Sequence, residues 1–188
     1  NYKHFNYNIL NYSDLEKIFI KYKKTIKLII HAAAQPSHDL AKTIPLIDFK
    51  VNALSTLNLL ELTKIYCPGS PFIFMSTNKV YGDNPNLLQL KENKTRWELN
   101  KKHKFYKGVD EQMSIDQCVH SLFGISKSYA DLVTQILDIF NRFDGGKLGY
   151  VGVKECWAFE FIPLLAKLYA NSRFVILHRD PRAIVSSL

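Results

Sequence analysis

The chain has 188 residues, is 47% hydrophobic and carries a formal net charge of +8. That length allows one compact domain or pieces of two, and the apolar content is enough to bury a core, which excludes a disordered chain. No apolar run approaches the ~20 residues needed to cross a bilayer, and the opening residues lack the charged and apolar regions of a secretory signal.

Phe5 to Leu10 reads as a short strand. Ser13-Asp14-Leu15-Glu16 has the form of a capping box and opens a helix, with Leu15, Ile18, Phe19 and Tyr22 at helical spacing on its buried face. Lys27 to His31 is a continuous apolar strand of the kind buried on both faces in parallel sheets. It runs into the small-residue turn Ala32-Ala33-Ala34-Gln35-Pro36-Ser37-His38. A long helix follows over Asn52 to Tyr66, with Leu54, Leu57, Leu60 and Ile65 apolar, and Cys67-Pro68-Gly69-Ser70 stops it. Phe72 to Met75 is another buried strand and ends at Ser76-Thr77.

Residues 91–107 come next, with Lys91, Lys94, Arg96, Lys101, Lys102, Lys104 and Lys107 against only Glu92 and Glu98. Most of the net charge therefore sits in one polar segment, which reads as an exposed loop. It could attract an anionic substrate. It does not set basic residues among stacking aromatics along a defined face, so nucleic acid is not an expected partner. A third long helix spans Ser121 to Phe143 and carries Tyr129, Leu132, Val133, Ile136, Leu137 and Phe140, with Gly145-Gly146 ending it. A strand over Leu148–Val153, a helix over Phe159–Tyr169, a strand over Arg173–Leu177 and a helix start near Pro181 complete the chain.

Strands alternating with helices, the strands solidly apolar, imply an α/β protein: a parallel sheet with helices on both faces. Ligands bind such sheets at the carboxyl ends of the strands, so the segments after Ile30, Met75 and Leu177 are the ones that matter. Cys67, Cys118 and Cys156 are far apart, with no metal-ligand spacing to the histidines. They read as small apolar residues in a reducing, cytoplasmic setting.

Two strand ends carry candidate chemistry. Ala32, Ala33 and Ala34 would let a ligand approach the backbone closely, although a simple packed turn would use the same residues. Thr77 puts a hydroxyl after the Phe72–Met75 strand. Lys127, one turn into the third helix, could reach a ribose in the same crevice and lower the pKa of a nearby acid.

The stretches 31–38, Ser76-Thr77-Asn78-Lys79-Val80-Tyr81-Gly82-Asp83 and His120-Ser121-Leu122-Phe123-Gly124-Ile125-Ser126-Lys127 resemble the extended short-chain dehydrogenase/reductase family. Within it they are most similar to nucleotide-sugar epimerases of the CDP-paratose 2-epimerase type. Asp48-Phe49-Lys50-Val51-Asn52 and Thr56-Leu57-Asn58-Leu59-Leu60-Glu61 fit the same pattern, and the resemblance covers residues 5–143. It implies a Rossmann-type sheet, bound NAD, a nucleotide-sugar substrate, and hydride transfer to and from a sugar carbon. It implies that Thr77 hydrogen-bonds the reacting oxygen and that Lys127 holds the nicotinamide ribose. Ala32, Ala33, Ala34 and Gln35 fall on the loop that passes the cofactor, and Asn8 falls where the family often places an aspartate near the adenine. It also implies a homodimer, paired through the helices at 52–66 and 121–143.

Two departures follow from the same comparison. The family's catalytic tyrosine is Phe123 here, which has no proton to give or take. Tyr81 and Tyr129 are the conceivable replacements. The family's glycine-rich phosphate turn is absent from the sequence. The expectation is therefore a partial Rossmann domain over 1–143 that lacks the first βαβ unit, with impaired NAD binding and weak or no activity. A complete epimerase of this kind is roughly twice as long, and the first residue is Asn1, not Met.

After residue 144 the pattern changes. The run Arg173-Phe174-Val175-Ile176-Leu177-His178-Arg179-Asp180-Pro181-Arg182-Ala183, with Ser187 eight residues beyond Arg179, resembles a sulfotransferase segment. That resemblance implies that Arg179 and Ser187 hold the 3′-phosphate of PAPS, and that 144–188 is a separate αβ piece. A fused or remnant chain without turnover is the third reading.

Overall fold

The computed structural model describes residues 2–110, 112–143, 150–153 and 174–177, with side chains placed up to residue 136. In chain order the elements are α1 (Tyr12–Tyr22), β1 (Leu28–His31), α2 (His38–Thr43), α3 (Pro45–Phe49), α4 (Ser55–Tyr66), β2 (Phe72–Met75), β3 (Lys91–Glu92), β4 (Trp97–Glu98), α5 (Leu122–Phe143), β5 (Tyr150–Val153) and β6 (Phe174–Leu177). The expected helices at 159–169 and near Pro181, and the residues Cys156, Arg179 and Ser187, lie outside the described residues.

Four strands make one sheet in the order β5–β2–β1–β6, with every pairing parallel. In the centre, Ile30 lies opposite Ile73 and His31 opposite Phe74. All four residues of β1 are buried. Their side chains alternate between two faces. Ile29, Phe72 and Phe74 join Leu15 and Phe19 of α1, Leu59, Leu60 and Leu62 of α4 and Ala130 of α5 in one core. Leu28, Ile30 and Ile73 form a second cluster with Met75 on the other face. The partial parallel sheet expected from the sequence is thus present, and β5 and β6 extend it on both sides.

Phe5–Leu10 is not a strand. Leu10 N donates to Asn8 Oδ1 and Asn11 N to Asn8 O, so the backbone turns there and joins no ladder. Nor does Ser13 cap α1. Asn11 Oδ1 accepts from Asp14 N at 3.3 Å, and Asn11 Nδ2 donates to Asp14 Oδ2 at 2.7 Å, two residues earlier than the capping box suggests.

The helix expected from Asn52 starts earlier, at Pro45, whose missing N–H costs nothing at a first helical position. A π-helical turn over Lys50–Leu54 joins α3 to α4 and buries Asn52 and Ala53. The buried side of α4 carries Ser55, Thr56, Leu59, Leu60, Leu62 and Thr63, while Leu54 and Ile65 face outward.

The apolar residues of α5 are divided between its two sides, with Val133 half-buried against the main core. Phe123, Ser126, Lys127, Ala130 and Thr134 are buried, and Leu122, Ile125, Tyr129, Leu132 and Ile136 are exposed. Besides Phe123 and Val133, its inner side carries small and polar residues where it closes against the end of β2 and the π turn. At Gly124 a Cβ would lie 2.6 Å from the Lys79 carbonyl oxygen, so only glycine admits that approach.

Between β2 and α5 the chain makes a long excursion, closed at its neck by Asp83 N to Val119 O and Val119 N to Asp83 Oδ1. It has a small core of its own, Val80, Tyr81, Phe105 and Met113. The basic segment is exposed as expected, apart from Phe105 and the half-buried Glu98, Leu99, His103 and Tyr106. Among the described residues no helix is long and apolar enough to cross a membrane.

Phe72 is wholly buried between the sheet and the helices. Phe72→Ala should lower the unfolding free energy by about 3–5 kcal/mol. Leu87→Ala, at a side chain 74% exposed, should change it by less than about 0.5 kcal/mol. Urea denaturation followed by circular dichroism measures both.

Candidate functional site

β1 and β2 are parallel neighbours, so the segments leaving their carboxyl ends are neighbours too. After β1 come Ala32 and Ala34, half-buried, alternating with Ala33 and Gln35, which are buried. Gln35 is fully committed within the chain. Its Nε2 donates to Ser37 O and Asp48 Oδ1, its Oε1 accepts from Ser37 N, its amide donates to Asn52 Oδ1, and its carbonyl accepts from Asn52 Nδ2. Ala32 and Ala34 keep part of their surface exposed, while Ala33 is buried.

After β2, Thr77 is buried and caps a short 3-10 helix over Asn78–Tyr81, its Oγ1 accepting from Lys79 N at 3.3 Å. Lys127 arrives from α5 and is 4% exposed. Its Nζ donates to Met75 O at 2.7 Å and lies 4.4 Å from the centre of the Phe74 ring. A buried ammonium is costly unless it has such partners; a carbonyl and an aromatic face both stabilise it. Lys127 thus reaches the carbonyl two residues before Thr77. The structure gathers the alanine turn, Thr77 and Lys127 at one edge of the sheet.

A family model described as the NAD dependent epimerase/dehydratase family matches residues 2–113. The chain belongs to that family. It is 35% identical over 131 residues to CDP-paratose 2-epimerase of Salmonella typhi, a match that covers 70% of this chain but only 36% of that relative. The UDP-Glc/GlcNAc 4-epimerase of Campylobacter jejuni shares its fold with a TM-score of 0.61 at 18% identity, over 90% of this chain and 46% of that one. The UDP-glucose 4-epimerase of Thermus thermophilus, solved in complex with NAD, matches with a TM-score of 0.54 at 23% identity, over 80% of this chain and 39% of that one. These comparisons do not support the sulfotransferase resemblance or PAPS as a ligand.

In this epimerase-family chain the two tyrosines considered as replacements for a catalytic one are engaged elsewhere. The Tyr81 hydroxyl donates to Asp110 O at 3.1 Å, inside the excursion. Tyr129 is on the outer face of α5, with its ring 5.6 Å from that of Phe49. Phe123 itself is 7% exposed. Asn8 is exposed and its side chain closes the turn before α1. A cavity of about 550 Å3, lined by Asn84, Leu87, Leu88, Met113, Ser114, Asp116 and Gln117, belongs to the excursion and includes none of the strand-end residues. No group of three metal-ligating side chains occurs among the described residues.

Sequence reasoning missed His31 as a member of this region, because an apolar run around it reads only as strand. It is 1% exposed, and its Nε2 lies 2.9 Å from Thr56 Oγ1. Thr56 Oγ1 already donates to Asn52 O, so it accepts from His31, which assigns the proton to Nε2. Nδ1 is a buried lone pair with no partner among the described residues. Burial first, and the charge of Lys127 second, push the pKa down from 6.5 to about 3. Between those values the unfolded chain binds a proton that the folded chain refuses, so stability falls as pH drops below about 6.5. His31→Gln should remove a slope approaching about 1.4 kcal/mol per pH unit from that range. Comparing urea midpoints of the two proteins from pH 4 to pH 7 checks it, as does the absence of a His31 imidazole titration above pH 4.

Proposed function

We propose that the chain carries the cofactor- and sugar-facing edge of an NAD-dependent nucleotide-sugar epimerase of the CDP-paratose 2-epimerase type. The observation that supports this most is the gathering of Ala32–Gln35, Thr77 and Lys127 at neighbouring carboxyl ends, in a chain 35% identical to such an enzyme. These residues suit the nicotinamide-ribose end of the cofactor: methyl side chains on the turn leave its outer side open, and a lysine ammonium stands at the end of β2. NAD, when bound, would accept a hydride from the sugar and return it. Lys127 would hold the ribose, and Thr77 would offer its hydroxyl to the reacting oxygen. Asn8 and the turn residues would flank the nucleotide.

No proton-transfer group stands at Phe123, so turnover by this chain should be weak. Phe123→Tyr adds one oxygen at a position whose ring is already buried. It should raise conversion between CDP-paratose and CDP-tyvelose at least about tenfold over the wild type, measured by chromatography of the products. Lys127→Ala should weaken NAD at least about tenfold in equilibrium dialysis. Wild-type protein that retains no NAD at millimolar concentration would overturn the reading.

We propose further that a second copy of the chain covers α5. Leu122, Ile125, Tyr129, Leu132 and Ile136 recur at alternating spacings of three and four, which makes one continuous apolar stripe, and Phe49 of α3 extends it through its ring contact with Tyr129. A helix whose polar side faces inward and whose apolar side faces outward needs a partner for the outer side. Leu132→Asp should convert a dimer to a monomer in sedimentation velocity without loss of helical circular dichroism. A reducing, cytoplasmic setting suits Cys67, whose thiol burial pushes up to about 11.

A further inference from the structure

We propose that Asp48 is a positioning residue that locks the turn after β1 to the helix bearing Lys127. Asp48 lies in α3 and is 1% exposed. Its Oδ1 accepts from Gln35 Nε2 at 2.8 Å and from Asn52 Nδ2 at 3.0 Å. Asn52, in the π turn, clasps Gln35 from both sides: Oδ1 accepts from the Gln35 amide at 2.9 Å, and Nδ2 donates to the Gln35 carbonyl at 3.2 Å. Asn52 Nδ2 also lies 3.1 Å from Ser126 Oγ, which itself donates to Phe123 O. One buried chain of hydrogen bonds therefore runs from the turn, through α3 and the π turn, to the residue beside Lys127.

The order of dependence follows from donor counts. Asn52 Nδ2 has two protons for three acceptors, so one proton is shared, and the amide plane is fixed by whichever acceptors compete best. Gln35 Nε2 has two protons and two acceptors, Ser37 O and Asp48 Oδ1. Asp48 Oδ1 is the one atom that both amides address. Without it, Gln35 Nε2 has a buried N–H to place elsewhere, while Asn52 Nδ2 keeps Gln35 O and Ser126 Oγ for its two protons but loses its charged anchor. The Gln35 side chain must then turn from its pairing with Ser37, and the Asn52 clasp on the Gln35 backbone is no longer anchored to α3, so the turn after β1 loosens relative to α5. An apolar side chain at 48 removes this acceptor. An asparagine keeps it, because its Oδ1 can accept the same two bonds.

The lock itself is independent of the proposed NAD reaction; only its consequence for cofactor affinity rests on that reading. The test is amide hydrogen exchange on the full chain, with NAD equilibrium dialysis beside it. In Asp48→Leu the Gln35 amide should exchange at least about tenfold faster, while those of Ile29 and Ile30 in β1 keep their protection, and NAD should bind at least about tenfold more weakly. Asp48→Asn should resemble wild type in both. If Asp48→Leu does not fold, Ser126→Ala, which removes the far end of the chain of bonds, should speed Gln35 exchange by about threefold with β1 unchanged. Unchanged Gln35 exchange in the variant that folds, equal loss of protection in β1, or an Asp48→Asn as impaired as Asp48→Leu would overturn the proposal. If wild type binds no NAD, the functional reading fails, and the exchange comparison still decides the lock.

Discussion

The structure depends on one constraint: β1 has a strand on each side and packing on both faces, so the polar groups of the strand, and of the buried Gln35 beyond it, are shut away from water. Such a strand is stable only if each polar group it carries is matched from within. His31 meets this requirement at Nε2, as a neutral imidazole donating to Thr56, and leaves only the Nδ1 lone pair without a partner among the described residues. Gln35 meets it four residues later, with both backbone groups paired to Asn52 and its side chain to Ser37 and Asp48. The helical stretch over 45–66 therefore does two jobs. Leu59, Leu60 and Leu62 fill the core, while Asp48, Asn52 and Thr56, a turn apart on the same side, satisfy the end of β1 and the turn beyond it. The π turn belongs to this arrangement, since it includes Asn52 and leaves that side chain buried where a surface helix would show solvent a polar residue.

The same demand shapes α5. A helix that delivers an ammonium and a hydroxyl to the sheet edge must turn its polar side inward, with small residues between them to allow close approach. Ser126, Lys127, Ala130 and Thr134 fulfil that role. Phe123 is buried beside them, and Leu122, Ile125, Tyr129, Leu132 and Ile136 lie on the outer side. The apolar stripe on the surface and the polar lining of the site are thus two sides of one helix, and a change in its rotation would disturb both.

This also marks what could be seen in the residues beforehand. β1 and β2 were legible because a short apolar run bounded by turn residues has few alternatives, and the parallel order followed from the helices between the strands. The gathering of the alanine turn, Thr77 and Lys127 at one edge follows from that order. The helix faces were not legible, because apolar periodicity locates a stripe but not its side. Tyr129, Leu132 and Ile136 have the spacing of a core face and lie outside it. The start at Pro45 was hidden because Ile44, the residue before it, offers no capping side chain. Asp48 and Asn52 were visible as part of a family pattern, yet their role was not, since a carboxyl group and two amides meet only once α2 has folded the chain back on the turn after β1. Asn11, two residues before Ser13, is the cap in place, bonding Asp14 through both backbone and side chain.

Phe123 is best understood from the positions on either side of it. Gly124 is held against Lys79 O, where no side chain fits, and Ser126 is tied to Phe123 O and to Asn52. The first turn of α5 is thus fixed at three points that do not involve the ring at 123. A side chain there inherits its place from the backbone and does not create it. Loss of a hydroxyl at this position would remove a proton donor while leaving Lys127, Thr77 and the alanine turn where they stand. That separates two properties which a single catalytic motif usually combines. On the proposed reading, the geometry that would receive a nucleotide is set by hydrogen bonds deep in the fold, whereas the acid–base step would hang on one atom at position 123. A chain of this design can lose the second and keep the first.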